Sequence, residues 1–188
     1  MCELKYPFWV SVLLACIWTV PVSAADISAG EHKAANCMGC HGPKGKSSSA
    51  QWPNLAAQQS TYMVNQLNAF KTGTRNNPMM QSMAANLSGD DINNLAAYYS
   101  SQPAVSAGGD PDLAKSGQAK AGMCLGCHGS TAEGNGQIPR LAGQHPAYLV
   151  KQLSSFKEGV RKSGHMQAIA GTLTEDDMKA LAAYFGSL

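Results

Sequence analysis

The segment that decides the fold is Cys37-Met38-Gly39-Cys40-His41-Gly42, and it recurs as Cys124-Leu125-Gly126-Cys127-His128-Gly129. Both copies read C-x-x-C-H-G, and they lie 87 residues apart. On a helix, positions i, i+3 and i+4 share one face, so a single turn presents two thiols and one imidazole together. The thiols can form thioethers with the two porphyrin vinyl groups while the imidazole reaches the iron, which makes this spacing the attachment signature of haem c.

The duplicated motif therefore predicts two covalent haem c groups in one chain. The predicted thioether residues are Cys37, Cys40, Cys124 and Cys127, and the predicted iron ligands are His41 and His128. Cysteine pairs also occur in zinc knuckles, structural disulfides and thioredoxin-like redox sites. None of these alternatives requires a histidine directly after each pair, so the haem interpretation is favoured over all three.

The N-terminus has the pattern of a secretory signal peptide. Lys5 precedes an apolar run over residues 8–20, and small residues follow up to Ala25. The run is shorter than the roughly 20 residues that a membrane-spanning helix needs, so a retained anchor is the less favoured alternative. We expect residues 1–25 to be removed by cleavage after Ala24 or Ala25, and the exported chain to act in the periplasm, where haem c attachment is also possible.

Composition excludes several classes of protein. With 44% hydrophobic and 14% charged residues among 188, the chain is neither a disordered polyelectrolyte nor a polytopic membrane protein. The formal charge of +2 gives no broad cationic surface for phosphate backbones, so no nucleic-acid partner is expected.

An internal repeat extends well beyond the two haem motifs and indicates two folding units. The residues that recur 86 positions later are Leu55, Ala56, Gln58, Tyr62, Gln66, Leu67, Phe70, Lys71, Gly73, Arg75, Leu95, Ala96, Ala97 and Tyr98. We expect one domain over 26–102, a linker over 103–111 and a second domain over 112–188. Domains of this size rarely bury enough apolar surface to be stable without a cross-link or a cofactor, and a covalent haem would supply both.

Apolar periodicity predicts that both halves are helical, with no strand. Ser28 with Glu31 is a candidate capping box for a helix that carries the first haem motif, and Asp110 with Pro111 predicts the start of its counterpart. Capping boxes at Ser88 and Thr174 predict the final helix of each half. The predicted core stripes are Met63, Leu67, Phe70, Ile92, Leu95, Ala96 and Tyr99 in the first half, and Leu149, Leu153, Phe156, Met178, Leu181, Ala182 and Phe185 in the second.

A methionine is the expected sixth iron ligand. Met80 and Met166 occupy the same place in the repeat, so they are the predicted pair, with Met79 and Met83 as fallbacks for the first haem. A His165 ligand for the second haem is the less favoured alternative. The matched residues Arg75 and Arg161 are interpreted as solvated helix-end arginines, with contacts to haem propionates as the second possibility.

The exported chain resembles the class I cytochromes c and, in particular, the dihaem cytochrome c4 family. The resemblance rests on the duplicated C-x-x-C-H-G, the L-A-x-Q segments, the Met before L-S or L-T and the closing L-A-A-Y helices. It implies an all-α fold of two tandem cytochrome c domains, each wrapped around one haem. It also implies that the backbone carbonyls of Pro53 and Pro139 orient the axial imidazoles.

The resemblance implies an electron carrier, not an enzyme. Such a carrier takes single electrons from a quinol–cytochrome c reductase or a dehydrogenase and passes them to an acceptor such as a terminal oxidase. We expect a monomer, with peripheral membrane association allowed. The alternatives are the haem subunit of a dehydrogenase, such as a flavocytochrome c sulfide dehydrogenase, and, less favoured, a dihaem peroxidase.

Overall fold

The computed structural model describes residue 1 and residues 24–188 of the chain. Most of the predicted signal peptide, including its apolar run, lies outside the described residues. Ten α helices form within the described part, with one isolated β-bridge between Asn135 and Ile138 and no strand. The all-α prediction is therefore confirmed.

Each half contributes five helices in the same order. In the first half they are α1 (Ile27–Ala34), α2 (Met38–His41), α3 (Ser60–Lys71), α4 (Pro78–Ala84) and α5 (Gly89–Ser100). In the second half they are α6 (Pro111–Lys120), α7 (Gly122–His128), α8 (Pro146–Lys157), α9 (Gly164–Gly171) and α10 (Glu175–Ser187). The helix pairs with the most extensive contact, α1 with α5 and α6 with α10, each lie within one half.

Each half has its own apolar core, formed largely by the residues that the periodicity predicted. The first core contains Ala34, Met63, Leu95, Ala96, Tyr98 and Tyr99, and the second contains Ala121, Ala132, Ala142, Leu149, Leu181, Ala182 and Phe185. The first cysteine of each motif, Cys37 or Cys124, packs against the core of its own half. The haem motif therefore lies at the edge of an apolar wall in both halves.

One glycine in each half allows the first and last helices of that half to cross closely. A Cβ added at Gly30 of α1 would lie 2.1 Å from the Asn94 carbonyl oxygen of α5. The equivalent atom at Gly117 of α6 would lie 2.0 Å from the Ala180 oxygen of α10. Both distances are far below an ordinary contact, so only a residue without a side chain fits at these crossings.

The helix starts agree with the predicted capping residues in all places but one. Ser88 and Thr174 form the expected capping boxes, and Asp110 caps α6 ahead of Pro111. The prediction that Ser28 caps α1 is wrong, because the Asp26 carboxylate accepts from the backbone N–H groups of Ser28 and Ala29. The Asp26 carboxylate, two residues before Ser28, offers a charged acceptor to the positive end of the helix, whereas a hydroxyl offers a neutral one.

The segment before each haem motif is also less regular than expected. We expected one helix to run into the first motif, but α1 ends at Ala34 and the motif starts a separate short helix, α2. The second half repeats this break between α6 and α7. Each motif turn thus lies on a short helix separate from the longer helix that packs against the core.

Candidate functional site

The haem motifs adopt the one-turn geometry that thioether attachment requires. The backbone N–H groups of Cys40 and His41 both donate to the Cys37 carbonyl, at 3.2 and 2.9 Å. This turn places two thiols and one imidazole at neighbouring positions on one side of α2. In the second half, both cysteines of the motif and His128 lie within α7.

Neither a disulfide nor a zinc knuckle forms from these cysteines. Cys37, Cys40, Cys124 and Cys127 are all free thiols. Over residues 24–188, no three side chains of His, Cys, Asp or Glu converge as metal ligands would. Burial raises the pKa of the Cys37 thiol, although the nearby Tyr99 hydroxyl lowers it in part.

The two motif histidines are buried and held by the backbone of their own half. His41 Nδ1 lies 2.9 Å from the Pro53 carbonyl oxygen, and His128 Nδ1 lies 2.8 Å from that of Pro139. Because a carbonyl only accepts, each Nδ1 must carry the proton that it donates. Burial lowers the pKa of both imidazoles, which favours the neutral ring.

This arrangement fits a haem iron. Deprotonated Nε2 is the one lone-pair donor left on each neutral ring, and a metal ligand needs that atom free. A flanking pair of free thiols on the same turn fits the two vinyl groups, and the apolar core beside the first thiol fits the porphyrin face. The residues present therefore match haem c in donor type, spacing and polarity.

The predicted sixth ligands, Met80 and Met166, lie on the short helices α4 and α9, which come after the motif helices in the sequence. Met80 is half-buried on α4, and the Asn77 side chain accepts from its backbone N–H at 3.1 Å. Met79 and Met83 are 51% and 47% exposed. In the second half Met166 is half-buried on α9, whereas the neighbouring His165 is exposed. The choice of Met80 and Met166 stays a prediction, and burial favours it over the alternatives.

A cluster of six side chains joins the two halves, and sequence reasoning missed it. Its members, here called the interface arginine cluster, are Tyr62, Gln66, Arg75, Tyr148, Gln152 and Arg161. Arg75 donates to Tyr148 and Gln152 of the other half at 3.1 and 2.8 Å. Arg161 donates to Tyr62 and Gln66 at 2.8 and 2.9 Å, so the contacts are reciprocal.

The interpretation of Arg75 and Arg161 as solvated helix-end residues is therefore wrong. Each guanidinium also stacks over a phenylalanine of its own half, Phe70 or Phe156, at 4.5 Å from the ring centroid. Burial acts to raise the pKa of the Tyr62 hydroxyl. The positive charges of Arg161 and Arg75 have the larger combined effect and leave this pKa below its usual value. The repeat contained a signal of this interface, because polar residues with no evident role in their own half recurred at matched positions.

Further hydrogen bonds cross between the loops that follow the two haem motifs. Gln59 Nε2 donates to the Glu133 carbonyl at 2.9 Å, and His145 Nε2 lies 3.1 Å from the Ser47 carbonyl. These two contacts are equivalent in the repeat, with histidine in place of glutamine in the second half. The loops that follow the two haem motifs therefore lie against the opposite half in both directions.

Comparisons with known proteins agree with this arrangement. The family described as Cytochrome c matches twice, over residues 28–103 and 114–188. The cytochrome c4 of Azotobacter vinelandii is 36% identical over 190 residues, covering 88% of this chain and 90% of that protein. The crystal structure of reduced recombinant cytochrome c4 from Pseudomonas stutzeri superposes with a TM-score of 0.82 at 36% identity, covering 88% of this chain and 100% of that one.

A relative described by a different role is almost as similar. The "thiosulfate dehydrogenase electron acceptor" of Thiomonas intermedia is 34% identical over 195 residues, covering 95% of this chain and 88% of that protein. Within the described residues, no helix has the length and apolar character needed to cross a bilayer.

Proposed function

Because the chain belongs to the cytochrome c family, and within it to the dihaem cytochromes c4, we propose that it carries single electrons in the periplasm from a respiratory donor to a terminal oxidase. Membership establishes a dihaem electron-transfer cytochrome with two covalent haem c groups. Its working partners are other redox proteins. The compartment, the donor, the acceptor and the residues below are the proposed part.

The observation that carries the proposal is the equivalence of the two sites. Each half presents a free thiol pair, an imidazole with Nδ1 held at 2.8–2.9 Å by a proline carbonyl, and a half-buried methionine. With haem bound, one histidine and one methionine ligand would leave no open position on the iron and would raise its potential, which suits electron transfer, whereas a catalytic iron needs an open position. Within residues 24–188, the two halves present the same set of site residues, and neither is set apart as a substrate site.

We assign each haem a set of residues. Cys37, Cys40, His41 and Met80 hold the first haem, and Cys124, Cys127, His128 and Met166 hold the second. Each haem, when bound, supplies an iron that changes oxidation state by one electron. Pro53 and Pro139 fix the tautomer and orientation of the axial imidazoles, so that the ligands need not move when the iron changes charge.

We also propose boundaries for the signal peptide, the two domains and the linker. Residues 1–25 act as a cleaved signal peptide, 26–102 and 112–188 form the two haem domains, and 103–111 link them. The linker is tied to the second domain, because Ala107 N–H donates to the Gly143 carbonyl and Ser106 Oγ donates to the Gly186 carbonyl.

The proposal is tested on protein exported by a host that matures c-type cytochromes. We expect an N-terminus at Ala25 or Asp26, the mass of two haems, two one-electron steps in a redox titration and a monomer in solution. Rapid mixing of the reduced protein with carbon monoxide should leave both haem spectra unchanged. Fast stoichiometric binding at one haem would overturn the carrier role and favour a peroxidase.

A second candidate donor is a thiosulfate dehydrogenase, because a relative described as an electron acceptor of that enzyme matches almost the full chain. In this variant of the proposal, a periplasmic dehydrogenase acting on a sulfur compound reduces the protein. Stopped-flow reduction by a thiosulfate dehydrogenase and by a quinol–cytochrome c reductase discriminates the two donors. Stable copurification with a flavoprotein would instead indicate a permanent dehydrogenase subunit.

A further inference from the structure

Two glutamine side chains reach across the domain interface in an identical way. Gln144 Oε1 accepts from the backbone N–H of Asn54 at 2.8 Å, and its Nε2 donates to the Asn54 carbonyl at 2.9 Å. Gln58 makes the same two bonds to Arg140, at 2.8 and 3.0 Å. Both glutamines are buried, with 7% and 6% exposure for Gln58 and Gln144. Each half thus holds one residue of the other by both backbone polar groups.

The residue held is the one directly after the proline that orients an axial histidine. The Asn54 N–H and the Pro53 C=O belong to a single peptide group. That peptide accepts from His41 Nδ1 at 2.9 Å on one side and donates to Gln144 at 2.8 Å on the other. The side chain of one half is therefore two hydrogen bonds away from the imidazole of the other half.

The second half contains the same chain of contacts in reverse. The Pro139 C=O accepts from His128 Nδ1 at 2.8 Å, and the N–H of the same peptide, at Arg140, donates to Gln58 at 2.8 Å. The two chains cross between the halves. Gln144 leads to His41, and Gln58 leads to His128.

The orientation of each amide is settled by its neighbours. Gln144 Oε1 accepts from a second donor, the N–H of His145, at 3.0 Å, and Gln58 Oε1 accepts from the N–H of Gln59 at 2.9 Å. A flipped amide would place its NH2 group against two N–H donors. Oxygen must therefore face the peptide N–H in both halves.

Such a chain of hydrogen bonds transmits polarisation. The peptide is conjugated, so an N–H that donates to a good acceptor makes the carbonyl of the same peptide a better acceptor. A better acceptor at Nδ1 makes the imidazole a more basic iron ligand. Hydrogen bonding to the axial ligand is one of the means by which a protein sets the potential of a haem.

We propose that Gln144 and Gln58 are positioning residues that tune the reduction potential of the haem in the opposite half. The inference rests on the proposed ligation by His41 and His128. A more basic imidazole stabilises the oxidised iron, so intact glutamine lowers the potential of the opposite haem. Loss of Gln144 weakens the Pro53 acceptor and raises the potential of the first haem, although the substitution lies in the second domain.

The decisive variants are Gln144→Met and Gln58→Met in the full haem-loaded protein, since methionine keeps the length without the hydrogen bonds. We expect Gln144→Met to favour the reduced form of the first haem by about threefold, equivalent to roughly 30 mV for one electron. Gln58→Met should shift the second haem by a similar amount. An NMR-monitored redox titration separates the haems, through resonances assigned to each domain.

Gln59→Met is the matched control. It removes a hydrogen bond of 2.9 Å across the same interface, to the Glu133 carbonyl, without touching either peptide next to an axial proline. We expect it to leave both potentials nearly unchanged. A comparable shift in this control would assign the effect to general loosening of the interface and overturn the proposal.

Gln144→Glu is a second variant that guards against poor folding of the methionine variants. At a pH high enough to ionise the new carboxyl, it loses the donation to the Asn54 carbonyl but offers the Asn54 N–H a charged oxygen acceptor, so the potential of the first haem should fall. The proposal is overturned if the shift falls on the haem of the substituted half, affects both haems equally, or is absent. Those outcomes would still leave two intact Met/His haems, whereas failure of the proposed ligation would remove them.

Discussion

The helix crossing at Gly117 supports a quantitative prediction. In Gly117→Ala, the new Cβ would lie 2.0 Å from the Ala180 carbonyl oxygen, where an ordinary contact begins at 3.4 Å. Helices α6 and α10 must therefore separate by about 1.4 Å, and the clashing atom belongs to a helix backbone that cannot rotate away. Overpacking of this kind costs about 3 kcal/mol, partly offset by about 1 kcal/mol of helix propensity.

We therefore expect Gly117→Ala to lower the free energy of unfolding of the second domain by about 2 kcal/mol, or its melting temperature by about 10 °C. Chemical and thermal unfolding of the haem-loaded protein, followed by far-UV circular dichroism, measure this. Gly30→Ala should act similarly on the first domain, where the corresponding distance is 2.1 Å.

Gly171→Ala is the matched control for this experiment. Gly171 ends α9, and a Cβ there would meet nothing within 4 Å. It should be neutral or stabilise by up to about 1 kcal/mol, the helix-propensity difference alone. A Gly117→Ala variant within 0.5 kcal/mol of the parent would refute the close crossing, provided that Gly171→Ala behaves as expected.

Two further predictions concern the iron ligands and the last helix. Met80→Ala and Met166→Ala should each abolish the methionine-to-iron absorption band of one haem, whereas Met79→Ala and Met83→Ala should retain it; an unchanged band in either of the first two means that another sulfur is the ligand. Lys120, followed by Thr174, holds the pKa of Asp177 far below its usual value. This carboxylate therefore stabilises the fold above its unfolded pKa of about 4 and loses that contribution as pH falls further. Asp177→Asn should be less stable than the parent at pH 7, and unfolding curves should converge as the pH drops below 4; a constant difference would contradict the linkage.

Local chemistry made most of the helices and both motif turns predictable. Capping at Ser88 and Thr174 depends on side chains only three residues away, so the sequence contains both partners. The apolar stripes depend on the same short range. The error at Ser28 arose from a competition that is also local, in which the Asp26 carboxylate is the stronger cap.

The domain interface could not be predicted in the same way. Arg75 meets Gln152 across 77 residues, and Gln144 meets Asn54 across 90. The repeat showed that Gln58 and Arg75 have counterparts in the other half, but it did not show which residue each would contact. Partner choice follows from how the halves dock, and no periodicity within one half reports that.

The reciprocity of the interface arginine cluster has a consequence for how the two halves stay together. Arg75 contacts Tyr148 and Gln152, and Arg161 contacts Tyr62 and Gln66. This is the pattern of an isologous dimer, in which two identical subunits offer the same patch to each other. Because both patches are carried by one polypeptide, each half meets the other at a high effective concentration, so the pairing does not depend on the protein concentration.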